Sequence, residues 1–248
     1  MTAVVCIPAR LASSRFPRKV LALLDGRPIL QHVYQNALAS RLAARTYILA
    51  DSEEVRTVAE AFGATVLMTS PDCPSGTARI ASALDRIDGD IIVNVQGDEP
   101  LVQAAVIDAM IERLQQGDAG VATPIVRIND PADLDNPNIV KVARTAAGRA
   151  LYFSRSAIPY VRDVPRSEWL ERADFWAHVG LYAYRCAVVA QYAALPEGRL
   201  EALERLEQLR LLEAGIAIDA VVVETLAHGV DVPEDLAVVE RRYFSGAR

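Results

Sequence analysis

Cysteine is scarce in this sequence, and the spacings typical of disulfide-bonded or zinc-binding folds are missing. The three cysteines, Cys6, Cys73 and Cys186, are widely spaced and form no Cys-x-x-Cys pair. This spacing favours neither a disulfide framework nor a zinc site. A chain of 248 residues can bury a sizeable core without such staples.

Long apolar runs are also missing. No stretch reaches the roughly 18 residues that a membrane helix needs, and residues 1–7 lack the basic start and the cleavage site of a secretory signal. We therefore expect a cytoplasmic protein with no membrane partner. The net charge of −6 also predicts no nucleic-acid partner, because proteins that bind nucleic acids usually carry a basic domain.

The common glycine-rich nucleotide fingerprints are absent as well. The 13 glycines form neither G-x-G-x-x-G nor G-x-x-x-x-G-K-[ST]. A dinucleotide-binding dehydrogenase and a P-loop ATPase both lose their usual signature. Any phosphate binding must therefore use another design.

Short apolar runs that alternate with helical patterns are present along the first 115 residues. Strand-like runs cover 3–7, 46–50, 65–68 and 91–95, and the helical patterns cover 29–39, 55–62, a segment that begins near Thr77, and 104–114. This alternation predicts an α/β fold with a mostly parallel sheet. Later strand-like runs cover 120–128, 139–144, 178–185 and 216–223, and a last helix is predicted over 233–243. We predict a single domain with a lobe inserted after about residue 115.

The first loop after the apolar start is strongly basic. Arg10, Arg15, Arg18 and Lys19 fall within ten positions, and no acidic residue occurs before Asp25. In open parallel sheets, ligands bind beyond the carboxyl ends of the strands, where this loop would lie. Arginine forks and a lysine suit the oxygens of a triphosphate. The alternative is a solvated basic loop.

Two later loops carry acids that could bind a metal ion. Asp98 directly follows the apolar run 91–95, where a buried carboxylate needs a cation or hydrogen bonds, so it is a candidate magnesium ligand. Asp231 lies in a loop just before the last helix. The alternatives are a turn residue at 98 and a helix-start residue at 231.

A third group of polar residues lies in the inserted lobe. Glu207 is predicted on the same helical face as Leu200, Leu203, Leu211 and Ala214, so its carboxylate would point toward apolar neighbours. A polar pocket contact by Glu207 and the adjacent Gln208 is the favoured interpretation over a simple burial. His178 begins an apolar run, and alone such a histidine is more often structural than catalytic.

Eight motifs together resemble the sugar-nucleotide cytidylyltransferases, in particular those that activate the acidic sugar 3-deoxy-manno-octulosonate (Kdo). The first is Ile7-Pro8-Ala9-Arg10 with Ser14-Arg15-Phe16-Pro17-Arg18-Lys19. The others follow in family order: Ser75-Gly76-Thr77, Val93 to Pro100, Asn136-Pro137-Asn138, Leu151 to Arg155, His178 to Tyr182, Leu206 to Arg210 and Gly229-Val230-Asp231. The resemblance covers essentially the whole chain.

The resemblance implies a Rossmann-like nucleotidyltransferase fold, a homodimer, and transfer of CMP from CTP to the anomeric hydroxyl of a small acidic acceptor. It implies a nucleotide-binding part at about 1–115 and 216–248, and an acceptor-binding and dimerisation lobe at about 116–215. Arg10, Lys19 and Asp98 would be catalytic, and Mg²⁺ would be held by Asp98 and Asp231. The implied nucleotide-binding residues are Pro8, Ala9, Arg10, Arg15, Lys19, Ser75, Gly76, Thr77, Gln96 and Asp98. The implied acceptor-binding residues are Arg155, His178, Tyr182, Glu207 and Gln208.

Some positions depart from the family pattern. Arg18 replaces the usual glycine before the lysine, Ala78 replaces a glutamate, Ala202 a histidine and Val232 a threonine. Kdo is the leading acceptor. The alternatives are another small acid, such as 8-amino-Kdo or a phosphonate, and a catalytically idle nucleotide-binding homologue.

Overall fold

The computed structural model describes residues 1–12, 15–224, 229–230 and 232–244. Twelve strands alternate with helices along this part of the chain. The strands are β1 Ala3–Ala9, β2 Leu23–Leu24, β3 Arg27–Pro28, β4 Ala43–Ala50, β5 Thr65–Met68, β6 Ile91–Asn94, β7 Val121–Arg127, β8 Lys141–Arg144, β9 Ala150–Ser154, β10 Trp176–His178, β11 Tyr182–Arg185 and β12 Ile218–Val222. Within the described ranges no helix has the length and apolarity to cross a membrane.

The helices of the described chain lie between these strands, together with short 3₁₀ turns such as Lys19–Leu21. They are α1 Ile29–Leu38, α2 Glu53–Ala61, α3 Gly76–Ala81, α4 Ala104–Gln116, α5 Pro131–Asp135, α6 Trp169–Arg172, α7 Cys186–Tyr192, α8 Arg199–Glu204, α9 Gln208–Glu213 and α10 Pro233–Phe244.

One large sheet runs through the molecule in the order β5-β4-β1-β6-β11-β7-β10-β8-β9, with β12 paired to β7. The pairings β5–β4, β4–β1 and β1–β6 are parallel, which is the arrangement that the alternating sequence predicts. The predicted Rossmann-like α/β fold is confirmed by this core.

Both faces of the sheet are covered, which explains why the core strands are continuous apolar runs rather than alternating ones. Val5 and Ile7 of β1 pack into one hydrophobic cluster with α1, α2 and α4. Val4 and Cys6 point to the opposite face and pack with α3, α7 and α9. All seven residues of β1 are buried.

The strand predicted over 178–185 is interrupted in the structure. His178 ends β10 and Tyr182 begins β11, and both strands run antiparallel to β7. The interruption faces Pro124 of β7, whose carbonyl accepts from Val179 N at 3.0 Å. Because proline has no N–H, the ladder loses a donor at this point. His178 therefore ends a strand rather than beginning one.

The single helix predicted through Leu200, Leu203, Leu211 and Ala214 is also wrong. Arg205 adopts a left-handed conformation with φ of 53°, so α8 ends before it and α9 begins three residues later. Leu203 is consequently 73% exposed instead of lying on a buried face. Glu207 lies at the start of α9, where a side chain can reach past the helix end.

Candidate active site

The loops that follow β1 and β6 touch each other because these two strands are parallel neighbours with Cys6 opposite Asn94. Gly97 N donates to the Pro8 carbonyl at 3.2 Å. A Cβ at position 97 would lie 2.9 Å from that carbonyl oxygen, so only glycine allows the contact. The predicted basic loop and the predicted metal loop therefore form one surface.

The central ion pair of this surface joins Lys19 to Asp98. Lys19 Nζ lies 2.5 Å from Asp98 Oδ2, and the lysine side chain is only 9% exposed. A short charge-assisted contact of this kind stabilises both groups in an otherwise dry position. The preceding residue of the basic loop, Arg18, has a left-handed φ of 59° and pairs with Glu54.

A cavity of about 420 Å³ opens at this surface. On the side formed by the basic loop, the cavity brings together most of the residues that the sequence predicts for CTP. The predicted residues that line this side are Pro8, Arg10, Lys19, Ser75, Gly76, Thr77, Gln96 and Asp98. Ala9 is fully buried in β1, and Arg15 is exposed; neither is among the described residues that line the cavity.

The start of α3 forms one wall. Ser75 caps this helix by accepting from Ala78 N at 3.2 Å. Gly76 lies against Gln96, since a Cβ there would come within 3.1 Å of the Gln96 amide nitrogen. The Gln96 amide donates to Asn94 Oδ1 at 3.1 Å, so its orientation is fixed from the sheet.

Arg79 is a cavity residue that sequence reasoning missed. It is only 2% exposed, yet it lines the cavity as a buried cation. Its guanidinium donates to Thr69 Oγ1 at 2.6 Å and lies 3.8 Å from Asp51 Oδ2. Its position three residues after Gly76 puts both on one helical face, which is the signal that could have revealed it. Cys73, Asn94 and Arg205 also line the cavity without having been predicted.

The opposite wall is less charged and comes from the inserted lobe. His178, Tyr182, Glu207 and Gln208 line it, as predicted for an acceptor site. Tyr182 OH donates to Gln208 Oε1 at 3.0 Å. Gln208 is 3% exposed, and its buried Nε2 has no hydrogen-bond partner in the described structure. An unsatisfied amide donor in a cavity wall is costly unless a ligand oxygen accepts from it.

Burial shifts the pKa values of two side chains in this wall, Glu207 and His178. It raises the pKa of Glu207, whose Oε2 accepts from Tyr192 OH at 3.2 Å. Burial lowers the pKa of His178 to about 3, so its imidazole is neutral at physiological pH. This wall can therefore present hydrogen-bonding groups with little positive charge.

Arg155 is placed differently from the other predicted acceptor residues. It is not among the described residues that line the cavity. Its guanidinium donates to the carbonyls of Glu204 at 2.7 Å and Pro137 at 2.8 Å, and to that of Arg205 at 3.4 Å. These bonds brace the break between α8 and α9. Asp231 lies outside the described residues.

Among the residues that the structure describes, no three His, Cys, Asp or Glu side chains form a metal-binding group. Asp98 is the carboxylate of the predicted pair that falls within the described ranges. Val230, the residue before Asp231 in the chain, donates its N–H to the Asp98 carbonyl at 2.9 Å. A Cβ at Gly229 would lie 3.0 Å from Glu99 Oε1, so this late segment lies directly against the metal loop.

A family model for cytidylyltransferases matches residues 4–218. The chain belongs to the cytidylyltransferase family. A 3-deoxy-manno-octulosonate cytidylyltransferase of Chlorobium luteolum is 45% identical over 246 residues, which are 96% of this cytidylyltransferase and 96% of the relative. One of Solibacter usitatus is 46% identical over 240 residues, which are 96% and 92% of the two chains.

Solved structures agree with this family assignment. A CMP:2-keto-3-deoxy-manno-octonic acid synthetase complexed with CTP superposes on the cytidylyltransferase with a TM-score of 0.93 and 38% identity, over 99% of this chain and 100% of that one. A nucleotidyl transferase of Methanothermobacter thermautotroptrophicus has a TM-score of 0.65 at 14% identity over 99% of each chain, which shows a shared fold alone.

Proposed function

We propose that this cytidylyltransferase transfers CMP from CTP to the anomeric hydroxyl of Kdo and releases pyrophosphate. The observation that carries the proposal is that one cavity joins a cationic wall containing Asp98 to a wall of hydrogen-bonding side chains with an unsatisfied Gln208 amide. The first wall suits a triphosphate and the second suits sugar hydroxyls. The names of the full-length relatives supply the same pair of substrates.

On the nucleotide side, the triphosphate would lie against Arg10 and Lys19, with Arg15 contributing from the same loop. Pro8 and Ala9 would approach the nucleotide through their backbone, and Ser75, Gly76, Thr77 and Gln96 would seat it. Lys19 is positioned to meet negative charge that grows during nucleotidyl transfer, because its ammonium already lies inside the cavity wall.

The magnesium ion would be held by Asp98 together with Asp231 and phosphate oxygens. Asp98 places a hard carboxylate in the cavity lining, which fits this ion, because Mg²⁺ usually takes one or two carboxylates and completes its shell with substrate phosphates and water. When bound, Mg²⁺ would offset charge on the α-phosphate and orient the triphosphate. Lys19 would then share its neutralising role with the metal.

On the acceptor side, the sugar hydroxyls would bond to Gln208, Glu207, Tyr182 and His178. The orientation of Gln208 Nε2 is fixed because Tyr182 OH donates to Oε1 of the same amide. We propose that Arg155 supports acceptor binding by bracing the segment before Glu207, since its guanidinium is engaged by backbone carbonyls. The acceptor oxygen would attack the α-phosphorus, form the new P–O bond and lose its proton to solvent water, while the bond between the α-phosphorus and pyrophosphate breaks.

The decisive experiment measures pyrophosphate release from CTP with a panel of Kdo, 8-amino-Kdo, sialic acid and phosphonoformate. We expect turnover with Kdo well above the others. Turnover of the phosphonate but not of Kdo would assign the protein to the alternative acceptor class. No turnover with any acid, despite CTP binding, would indicate an idle homologue.

We further propose that the protein is a cytoplasmic homodimer. Each subunit would form a single domain over residues 1–248, with its nucleotide-binding part at about 1–115 and 216–248 and its acceptor-binding part at about 116–215. The cysteines are unpaired and Cys73 is partly accessible, which suits a reducing compartment. Leu151 and Tyr160 of the lobe are 60% and 77% exposed, as expected of apolar side chains that a second subunit covers. Light scattering on the purified protein tests the dimer.

A further inference from the structure

The hydroxyl of Thr123 in β7 lies at the centre of a small polar cluster beside the cavity. Thr123 is fully buried. Its Oγ1 lies 2.9 Å from His178 Nε2, 2.7 Å from the Leu181 carbonyl oxygen and 3.3 Å from the Val179 carbonyl oxygen. The interruption between β10 and β11 creates this cluster, because it turns both carbonyls toward the threonine.

Proton accounting within this cluster assigns the histidine tautomer. A hydroxyl has a single proton to donate, and a carbonyl oxygen can only accept. The 2.7 Å separation between Oγ1 and the Leu181 oxygen requires a proton between these two oxygens. The threonine proton is thereby committed, so His178 Nε2 must carry the hydrogen that fills the remaining 2.9 Å contact.

The other ring nitrogen of His178 is then left without a hydrogen. The ring lines the cavity and is held edge-on by Phe153, at 5.2 Å between centroids, and tilted against Tyr182 at 5.4 Å. Its position is therefore fixed by packing. Within the described part of the chain Nδ1 has no hydrogen-bond partner, so it is a bare acceptor on a ring that lines the cavity.

We infer that Thr123 is a positioning residue that locks His178 in the Nε2–H tautomer, so that Nδ1 accepts a hydrogen bond from a hydroxyl of the acceptor sugar. The second half of this inference rests on the proposed function, whereas the tautomer does not. A bare nitrogen attracts hydroxyl donors and repels carboxylate oxygens, which only accept. Thr123 thus decides which end of a hydroxy acid can face His178.

A weakly basic imidazole fits this role. Burial keeps His178 neutral, and such a group binds a hydroxyl without removing its proton. The titratable groups that share its wall of the cavity are Tyr182, which packs against its ring, and Glu207. His178 therefore orients the acceptor, and its loss should affect acceptor affinity more than the chemical step.

The tautomer can be read without any substrate. Long-range ¹H–¹⁵N correlation spectra of ¹⁵N-labelled protein separate the protonated from the bare ring nitrogen, and the His178→Asn variant assigns the signal among the three histidines. We expect Nε2–H in the wild type and in Thr123→Ser. Nδ1–H in the wild type would overturn the inference, even if Kdo turnover is normal.

Kinetics test the consequence. Thr123→Val keeps the shape but removes the hydroxyl, and we expect the acceptor KM to rise about tenfold, the worth of one hydrogen bond, with the KM for CTP unchanged. Thr123→Ser should restore the wild-type value. Thr46→Val, at another buried strand position away from the cavity, is the matched control.

Should Thr123→Val fail to fold, the spectra of the wild type and of Thr123→Ser still decide the question. If the wild type shows the Nε2–H signal but the acceptor KM is unchanged in Thr123→Val, the positioning role is refuted and the tautomer assignment stands.

Discussion

Lys19 Nζ lies 2.5 Å from Asp98 Oδ2, so the single lysine of the basic loop closes on the acid of the metal loop. The two groups neutralise each other, which avoids an unpaired buried charge on the lysine. A triphosphate and a cation would supply new partners to both at once. This exchange predicts that nucleotide and metal bind cooperatively.

Asp98 is the first test of this arrangement. Asp98→Asn should lower turnover by about a hundredfold or more, because the metal that offsets charge on the α-phosphate loses a hard anionic ligand. Pyrophosphate release at saturating Mg²⁺ and CTP measures the effect. Asp85→Asn, at an exposed acid in the 3₁₀ turn Leu84–Arg86, is the control and should be neutral. Near-normal activity in Asp98→Asn would remove this residue from the metal site.

Lys19 separates binding from catalysis. Lys19→Met removes the ammonium but keeps a long side chain at a position where only 9% of the side chain is exposed. We expect kcat to fall more than the KM for CTP rises, because the lysine meets charge that grows in the transition state. Steady-state kinetics give both parameters. A change confined to KM would mean that Lys19 contributes only nucleotide affinity.

Glu207 tests the acceptor wall. Glu207→Gln keeps the size of the side chain and removes its charge, and charge-assisted bonds to sugar hydroxyls should be lost at a cost of about 1.5–3 kcal/mol in acceptor binding. The KM for CTP should stay constant. Glu197→Gln, at an exposed acid before α8, serves as the control. An unchanged KM for Kdo would exclude Glu207 from the acceptor site.

Arg18 offers a test of stability. It occupies a left-handed conformation at a position where the resembling family carries glycine. Arg18→Gly should stabilise the fold by about 1 kcal/mol by removing the Cβ clash, less a small loss from the exposed pair with Glu54. Arg18→Ala keeps the clash and loses the pair, so it should be neutral or slightly destabilising. Urea unfolding of the three proteins gives the order, and a destabilised Arg18→Gly would contradict it.

The buried His178 predicts a pH dependence of stability. Its pKa in the folded protein is about 3, below the ordinary value of about 6.5. The unfolded chain therefore binds a proton that the folded chain does not, and stability falls as the pH falls from about 6.5 toward about 3. The slope from this group is at most about 1.4 kcal/mol per pH unit. His178→Gln should flatten the stability profile between about pH 7 and about pH 5. Parallel profiles for the two proteins would rule out this contribution.

The nucleotide half of the site is readable from sequence because it depends on local signals. Apolar runs of four to seven residues end at Ala9 and Asn94, and parallel pairing brings the loops after them together. Charged residues that directly follow such strands therefore lie together at the carboxyl ends of the parallel strands, where ligands bind. Position 97 is fixed as glycine by a contact that the sequence alone does not reveal.

The acceptor half was predicted less well because it depends on long-range contacts. Nothing local indicates that Arg205 turns left-handed, that Arg155 binds the carbonyls of that break, or that Pro124 interrupts the strand opposite it. A helical pattern counts apolar positions and does not detect a distant arginine competing for the last carbonyls of a helix. The family resemblance predicts His178 and Glu207 as acceptor-binding residues, and both line the cavity, although their local structures were predicted wrongly.

Asn94 of the nucleotide strand and Tyr182 of the acceptor wall face each other in the β6–β11 ladder. Backbone hydrogen bonds thus cross directly from one substrate wall to the other, with no flexible connection between them. The separation of the proposed donor and acceptor sites is consequently set by strand spacing and is as rigid as the sheet. Substitutions at the α8–α9 break can therefore reshape the wall that carries Glu207 without changing the distance between β6 and β11.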